Sequence, residues 1–480
     1  MKKKSITTNY IFNLIYQMLV LVVPFLITPY LTRVLGAVNL GIYSYTYSIA
    51  TIFFLLAALG LNTYGQREIA YVQDDREKRS KLFFELAVIR VISTIISMLL
   101  LVIFALLVKE YRLYYLIFSL YVFANIFDIT WLYQGMEDFK DVSIRNIFVK
   151  ILYIISVFLF VKTKNDLGIY IFLFSFFTVV VNFSFWFRLR KIVSFVSFKN
   201  LDIKKHLKPV FLLFIPQVAS LIYTVLDKTM LGIILTDISN VSFYEQASYI
   251  VKTILMLITT IGTVMISKMS YTFQKKDYSM LISYMHKIVN FVWLFGCALL
   301  FGIVAVIKNF VPWFYGNEYL KVIEIVYYMS PIIIIIGLNN VIGIQYLIPT
   351  KQQNKYIVAV SLGALVNFIL NLILINVIGV IGAVIASVAA ELFILLLELY
   401  FVKDKIKFID VIRPALKYLL FGLVMGAITY LVGNILGPCI LGTCLQIVVG
   451  FVVYVLLLLV FKDKFIKENV LSYFKRSKKV

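Results

Sequence analysis

The residues most able to do chemistry are charged side chains set inside long apolar runs. In the first half they are Arg33, Arg90, Asp128 and Lys150. In the second half they are Asp227, Lys228, Glu245, Lys252, Glu324, Glu391 and Glu398. A charge at the centre of a bilayer costs about 2.5–3.5 kcal/mol or more, so such residues face a wet cavity or pair with one another. Asp227 and Lys228 are adjacent, near the far end of a run that carries Pro216. Arg90, Lys150, Glu324 and Glu398 lie near expected helix ends, where snorkelling or a structural ion pair is the plainer reading. A neutral cluster adds to the set. Asn367 and Asn371 are four apart and share one helix face, as do Ser387 and Glu391 on the next helix. With Asp227 they are candidates to ligate a monovalent cation or hold a proton. Ordinary interhelical hydrogen bonding is the competing reading.

Enzyme signals are poor. No glycine-rich phosphate loop, His-Glu-x-x-His or nucleophile elbow is present. His206 and His286 fall at loop edges and read as solvated side chains rather than metal ligands. Cys297, Cys439 and Cys444 have neither metal spacing nor a disulfide framework.

The elements that must position these residues are membrane helices. The 480 residues are 62% hydrophobic, above the usual share for a soluble domain, and mean hydropathy is +0.95. The net charge of +22 would suggest nucleic acid in a soluble protein. Here it is accounted for by basic loops on one side of a membrane, so no nucleic-acid partner is expected. Apolar runs of about 20 residues read as spans. Fourteen are expected, from Tyr10–Thr32 to Ile440–Phe461. Placing the N-terminus inside puts most Lys and Arg on the inner side, with both termini cytoplasmic. The Met-Lys-Lys-Lys start imitates a signal peptide, but the run behind it is too long and reads as the first span.

The expected organisation is an all-α polytopic membrane protein of two six-helix lobes plus two C-terminal helices. Residues 1–190 form the first lobe, 191–208 a basic cytoplasmic linker and 209–402 the second lobe. Residues 403–480 form two extra helices and a basic tail. Ser270–His286 is expected to lie along the interface as an amphipathic helix. Pro24 and Pro29 are expected to interrupt the first span and Pro216 the seventh, with Pro331 and Pro349 marking the tenth. Arg33-Val-Leu-Gly36, Gly41-Ile-Tyr43 and Tyr47-Ser-Ile49 echo Thr229-Met-Leu-Gly232, Ser242-Phe-Tyr244 and Ser248-Tyr-Ile250. Six spans separate the two copies, so the repeat is of the parallel type.

Three further stretches carry a resemblance: Gly60-Leu-Asn-Thr-Tyr-Gly65-Gln-Arg67, Asp128-Ile-Thr-Trp131-Leu-Tyr-Gln-Gly135, and Asp227-Lys228-x-x-Leu231-Gly232 followed by Phe243-Tyr244-x-x-Ala247. The chain resembles the Wzx-type flippases for lipid-linked polysaccharide repeat units. These are relatives of the lipid II flippase and of the multidrug and toxin extruders. The resemblance implies a V-shaped transporter that works by alternating access. Its substrate would be an undecaprenyl-diphosphate-linked oligosaccharide, moved between leaflets of the bacterial plasma membrane. It implies no cofactor beyond Na⁺ or a proton for coupling, and membrane lipid and glycan-assembly enzymes as partners. Arg33, Lys228 and Lys252 would then neutralise the diphosphate, with Asp128 also in the substrate site. The lipid II branch has a sodium site similar in spacing to Asp227, Asn367, Asn371 and Ser387, to which Glu391 is added here. Asn371 stands where that branch has a carboxylate. A multidrug or metabolite antiporter of the same superfamily is the alternative. A repeat-unit polymerase or ligase is disfavoured for want of a large external loop.

Overall fold

The computed structural model describes residues 6–197, 199, 201–463, 465 and 467, and every regular element among them is helical. Twelve helical stretches among the described residues are long and apolar enough to cross a bilayer. They coincide with the first six and last six of the expected spans. Two further long helices, Lys204–Ile234 and Ser239–Gln274, occupy the places of the seventh and eighth. Large apolar side chains such as Phe148, Ile435 and Phe451 are exposed, as a lipid-facing surface requires. The chain forms two compact units, Met1–Ser242 and Phe243–Val480.

In the first unit the order is α1 (Ile6–Val34), α2 (Gly36–Ala58), α3 (Leu61–Tyr71), α4 (Arg76–Leu107), α5 (Arg112–Phe123) and α6 (Thr130–Gly135). Then come α7 (Phe139–Phe160), α8 (Leu167–Ser184), the short α9 (Leu189–Ile192) and α10 (Lys204–Ile234). Helix α1 runs through Pro24 and Pro29 without a break. The expected interruption is therefore absent: helices in lipid tolerate proline where neighbours satisfy the freed carbonyls. The side chain of Pro216 lies outside the described residues. Gly60, with φ +72°, divides α2 from α3 and packs against the backbone of α10 at Phe214. Asp75 caps α4 by accepting from the Glu77 and Lys78 backbone N–H groups at 3.1 and 3.0 Å.

The core of this unit explains two of the glycine motifs. Gly65 lies against the indole of Trp131, and Gly135 against Ile69. A side chain at either position would push α3 and α6 apart. Around them Phe83, Leu86, Tyr133 and Phe185 are fully buried. Gly232 on α10 lies against the ring of Tyr45 on α2, and Ser48 Oγ meets Thr229 Oγ1 at 2.9 Å. The helix that opens the second half of the sequence thus packs within the first unit.

The second unit holds α11 (Ser239–Gln274, mostly within it), α12 (Tyr278–Phe314), α13 (Lys321–Met329) and α14 (Ile332–Asn339). A π-helical segment, Asn340–Leu347, precedes α15 (Gln353–Ile378) and α16 (Val380–Val402). The chain ends with the short α17 (Phe408–Ile412), then α18 (Ala415–Leu436) and α19 (Ile440–Val460). No separate interfacial helix forms at Ser270–His286. Instead α11 and α12 extend until only residues 275–277 separate them, and Asp277 caps α12 through the Met280 N–H at 3.0 Å. The 37 residues of α12 reach roughly 55 Å, well beyond a hydrocarbon core of about 30 Å. The expected tenth span is the most broken: Ser330 and Pro331 divide α13 from α14, and the π-helical segment follows. Gly379, with φ +63°, makes the tight turn between α15 and α16.

Candidate functional site

The first unit contains a buried polar network. Arg90 on α4 is 2% exposed. Its guanidinium donates to Asn62 Oδ1, and at 3.4 Å to both Asn125 Oδ1 and the Ala58 carbonyl. Asn62 Nδ2 in turn donates to Asp128 Oδ2 at 3.0 Å. The other oxygen of Asp128 accepts from the Thr130 N–H and hydroxyl, at 3.0 and 2.6 Å, and so caps α6. Arg90 and Asp128 approach to 4.0 Å. Asp128, expected in the substrate site, is thus engaged by a cap and a buried cation.

A second network went unread in the sequence. His206 is not solvated: it is 3% exposed. Its Nε2 lies 2.8 Å from Glu85 Oε2 and its Nδ1 2.8 Å from the Tyr64 hydroxyl. Glu85 also takes the Lys205 ammonium at 3.0 Å and the Asp202 N–H at 2.9 Å. The start of α10 is thereby fastened to α3 and α4. The only sequence hint was a glutamate just inside an apolar run.

Lys150 also differs from expectation. It stands midway along α7, not near its end. With Tyr16, Asn146, Tyr153, Phe174 and Thr178 it lines a cavity of about 240 Å³. Its ammonium lies 5.2 Å from the centroid of the Tyr153 ring. Arg33 is exposed, and its Nη1 donates to the Pro29 carbonyl at 2.6 Å. Asp227 is buried and Lys228 half-buried on α10, and Lys252 is exposed on α11.

In the second unit the neutral cluster comes together as its spacing implied. Asn371 Nδ2 donates to Asn367 Oδ1 at 3.1 Å, and Asn367 Nδ2 to Ser387 Oγ at 3.3 Å. Ser387 Oγ lies 3.4 Å from the Tyr244 hydroxyl. One turn along α16, Glu391 Oε2 accepts from Asn339 Nδ2 at 2.6 Å. Two further turns along, Glu398 is fully buried with no hydrogen-bond partner for either carboxyl oxygen among the described residues. Asp227 belongs to the first unit, the other expected ligands to the second. Among the described residues no group of three or more His, Cys, Asp or Glu side chains could hold a metal ion.

Residues 6–273 match the family described as "Polysaccharide biosynthesis protein". The chain belongs to this family. The relatives and solved structures that resemble it are described as transporters or flippases. An Escherichia coli (strain K12) relative described as "Putative O-antigen transporter" is 25% identical over 417 residues, covering 84% of this chain and 98% of its own. A Shigella dysenteriae relative of the same description is 24% identical, covering 79% of this chain and 96% of its own. Among solved structures, the lipid II flippase MurJ in an inward closed conformation superposes with a TM-score of 0.73 at 20% identity. That match covers 95% of this chain and all of the other. An inward-facing multidrug resistance MATE transporter superposes with a TM-score of 0.60 at 13% identity, covering 87% and 98%. These two likenesses establish the fold of this multi-pass membrane family member.

Proposed function

We propose that the protein flips undecaprenyl-diphosphate-linked oligosaccharide repeat units from the inner to the outer leaflet of the bacterial plasma membrane. It does so by alternating access, with both termini cytoplasmic, and serves capsule, exopolysaccharide or O-antigen synthesis. The observation that carries this reading is Lys150, a cation midway along a membrane helix in an aromatic-walled cavity. An ammonium at that depth suits a phosphate, and flat aromatic faces beside it suit sugar rings. Lys228, Arg33 and Lys252 are further cations for the diphosphate, with Asp128 acting through its network. The relatives described as O-antigen transporters support the substrate class.

The energetics fit as well. Moving a charge across the membrane is worth about 2.3 kcal/mol per 100 mV. With the inside negative, an outward-moving diphosphate runs downhill. The return stroke is coupled to inward movement of Na⁺ or a proton at Asn367, Asn371, Ser387 and Glu391 in the second unit, with Asp227 on α10 of the first unit a separate candidate. Glycan-assembly enzymes supply and consume the substrate. Lysine is a compact point charge and arginine a planar fork, so charge and geometry can be separated. Flipping in proteoliposomes is expected to fall in Lys228→Ala and to be largely kept in Lys228→Arg. Full delivery by Lys228→Ala would remove that residue from the site.

A further inference from the structure

Ser387, Glu391, Glu398 and Val402 follow one another on α16 at spacings of four, seven and four residues, so they share one face. Ser387 and Glu391 have hydrogen-bond partners. Glu398 does not. It is 0% exposed, both of its carboxyl oxygens lack a donor among the described residues, and no ion pair reaches it. Its Oε1 occupies the space that a side chain at Gly343, in the π-helical segment, would fill, as does the ring of Tyr356. Two positions flanking Gly343 in sequence repeat the pattern: Asn339 Oδ1 and Gln345 Oε1 are buried acceptors without a donor among the described residues. The unpartnered atoms of this region are therefore acceptors, which calls for a small cation.

A metal ion needs several converging oxygens, and Glu398 supplies one carboxylate without a second acidic ligand within its turn. A proton needs only the one. A cavity lies one helical turn from Glu398, although Glu398 itself does not line it. It measures about 300 Å³ and is lined by Tyr346, Thr350, Gln352, Lys355, Phe401 and Val402, with Asp404 and Lys405 at its rim. Phe401 and Val402 lie one turn beyond Glu398. The loop at residues 403–407 that borders this cavity is one of the basic connections expected on the inner side.

We propose that Glu398 is a proton-binding site, filled from this cavity, on a path that leads along α16 toward Glu391 and the Ser387–Asn367–Asn371 cluster. The site deepens the coupling part of the transport reading above and rests on it for its role. The step is a single protonation. A hydronium in the cavity gives its proton to the carboxylate, leaving water and a neutral carboxylic acid, and release reverses it. Neutral, Glu398 can stay enclosed; ionised and without a partner, it must reach water. The π-helical segment beside it is of a kind that recurs at functional sites.

The neighbouring titratable and charged groups are consistent with this. On α15 they are Lys355 and Tyr356. Lys355 is engaged with Gln352 Oε1 at 2.8 Å and the Phe401 carbonyl at 3.3 Å. Tyr346 is in the π-helical segment and α14 has none. Lys321, Glu324, Tyr327 and Tyr328 are on α13, and Glu391 is on α16 itself. Among the described residues none of these cations is paired with Glu398.

Infrared difference spectroscopy on the reconstituted full-length protein tests the site. A carboxylic-acid C=O band is expected at neutral pH in the wild type, lost in Glu398→Gln and kept in Lys355→Met. A band unchanged in Glu398→Gln, or no such band in the wild type, overturns the proposal. Flipping then tests the role. A gradient of one pH unit is worth up to about tenfold in accumulation per proton, and this dependence is expected to vanish in Glu398→Gln. Gradient dependence that survives Glu398→Gln overturns the coupling role. Failure of the wild type to flip any lipid-linked oligosaccharide, with the band intact, overturns the transport reading and leaves the proton site standing.

Discussion

Helix α16 of the second unit buries charge differently from the first unit, although elsewhere in the second unit Asp463 is buried with Lys417 and Tyr418 as partners. In the first, Arg90 and Asp128 lie together in one network with Asn62, Asn125 and Thr130, and Glu85 is held by His206 and Lys205. In the second, among the described residues Glu391 has one amide donor and Glu398 has none. A buried charge with its partners in place is fixed, because moving it would strand the other members of its network. A buried carboxyl without partners has nothing to hold it and can change state. The first unit therefore uses buried charge to lock α3, α4, α6 and α10 together. The second keeps it available on α16.

The comparison can be broken by substitution. The largest effect is expected from Arg90→Ala, which leaves Asp128 buried beside an empty space. Removing one partner of a buried ion pair costs about 3–5 kcal/mol, to be read as loss of folded protein in detergent and a lower Tm. A stable Arg90→Ala protein would show that the network is ornamental. A smaller loss, about 1–3 kcal/mol, is expected from Asn339→Leu, which strips the donor from Glu391. The smallest is expected from Glu398→Gln, where no bond is removed: a change in thermal stability of less than about 1 kcal/mol. A destabilisation by Glu398→Gln as large as that of Arg90→Ala would place both carboxyls in the same structural class and erase the contrast.

How much of this could be read in the sequence differed by residue, for physical reasons. Helix periodicity was enough to place Asn367 and Asn371 on one face of α15 and Ser387 and Glu391 on one face of α16, whereas the Asn367–Ser387 bond that joins the two helices comes from packing. The glycine motifs were legible as patterns, but their cause was not. Gly65 is needed by Trp131 and Gly232 by Tyr45, contacts between residues far apart in the chain. His206 looked solvated because its burial depends on Glu85, 121 residues away. Lys150 looked like a helix-end residue because apolar runs blur where a helix begins. The same blurring hid the length of α11 and α12, whose polar extensions leave the bilayer without ending the helix. Glu398 was visible as a charge in an apolar run. Its lack of partners is a property of the packed helices alone.

The account rests most directly on delivery of a lipid-linked oligosaccharide across a membrane. The measurement is outer-leaflet appearance of an undecaprenyl-diphosphate-linked oligosaccharide in proteoliposomes of purified protein, wild type beside Lys150→Ala. Delivery by the wild type, reduced roughly tenfold or more in Lys150→Ala (about 1.4 kcal/mol of lost interaction), is the result the account predicts. No delivery by correctly folded wild-type protein would contradict it, and delivery indifferent to Lys150 would contradict its placement of the phosphate.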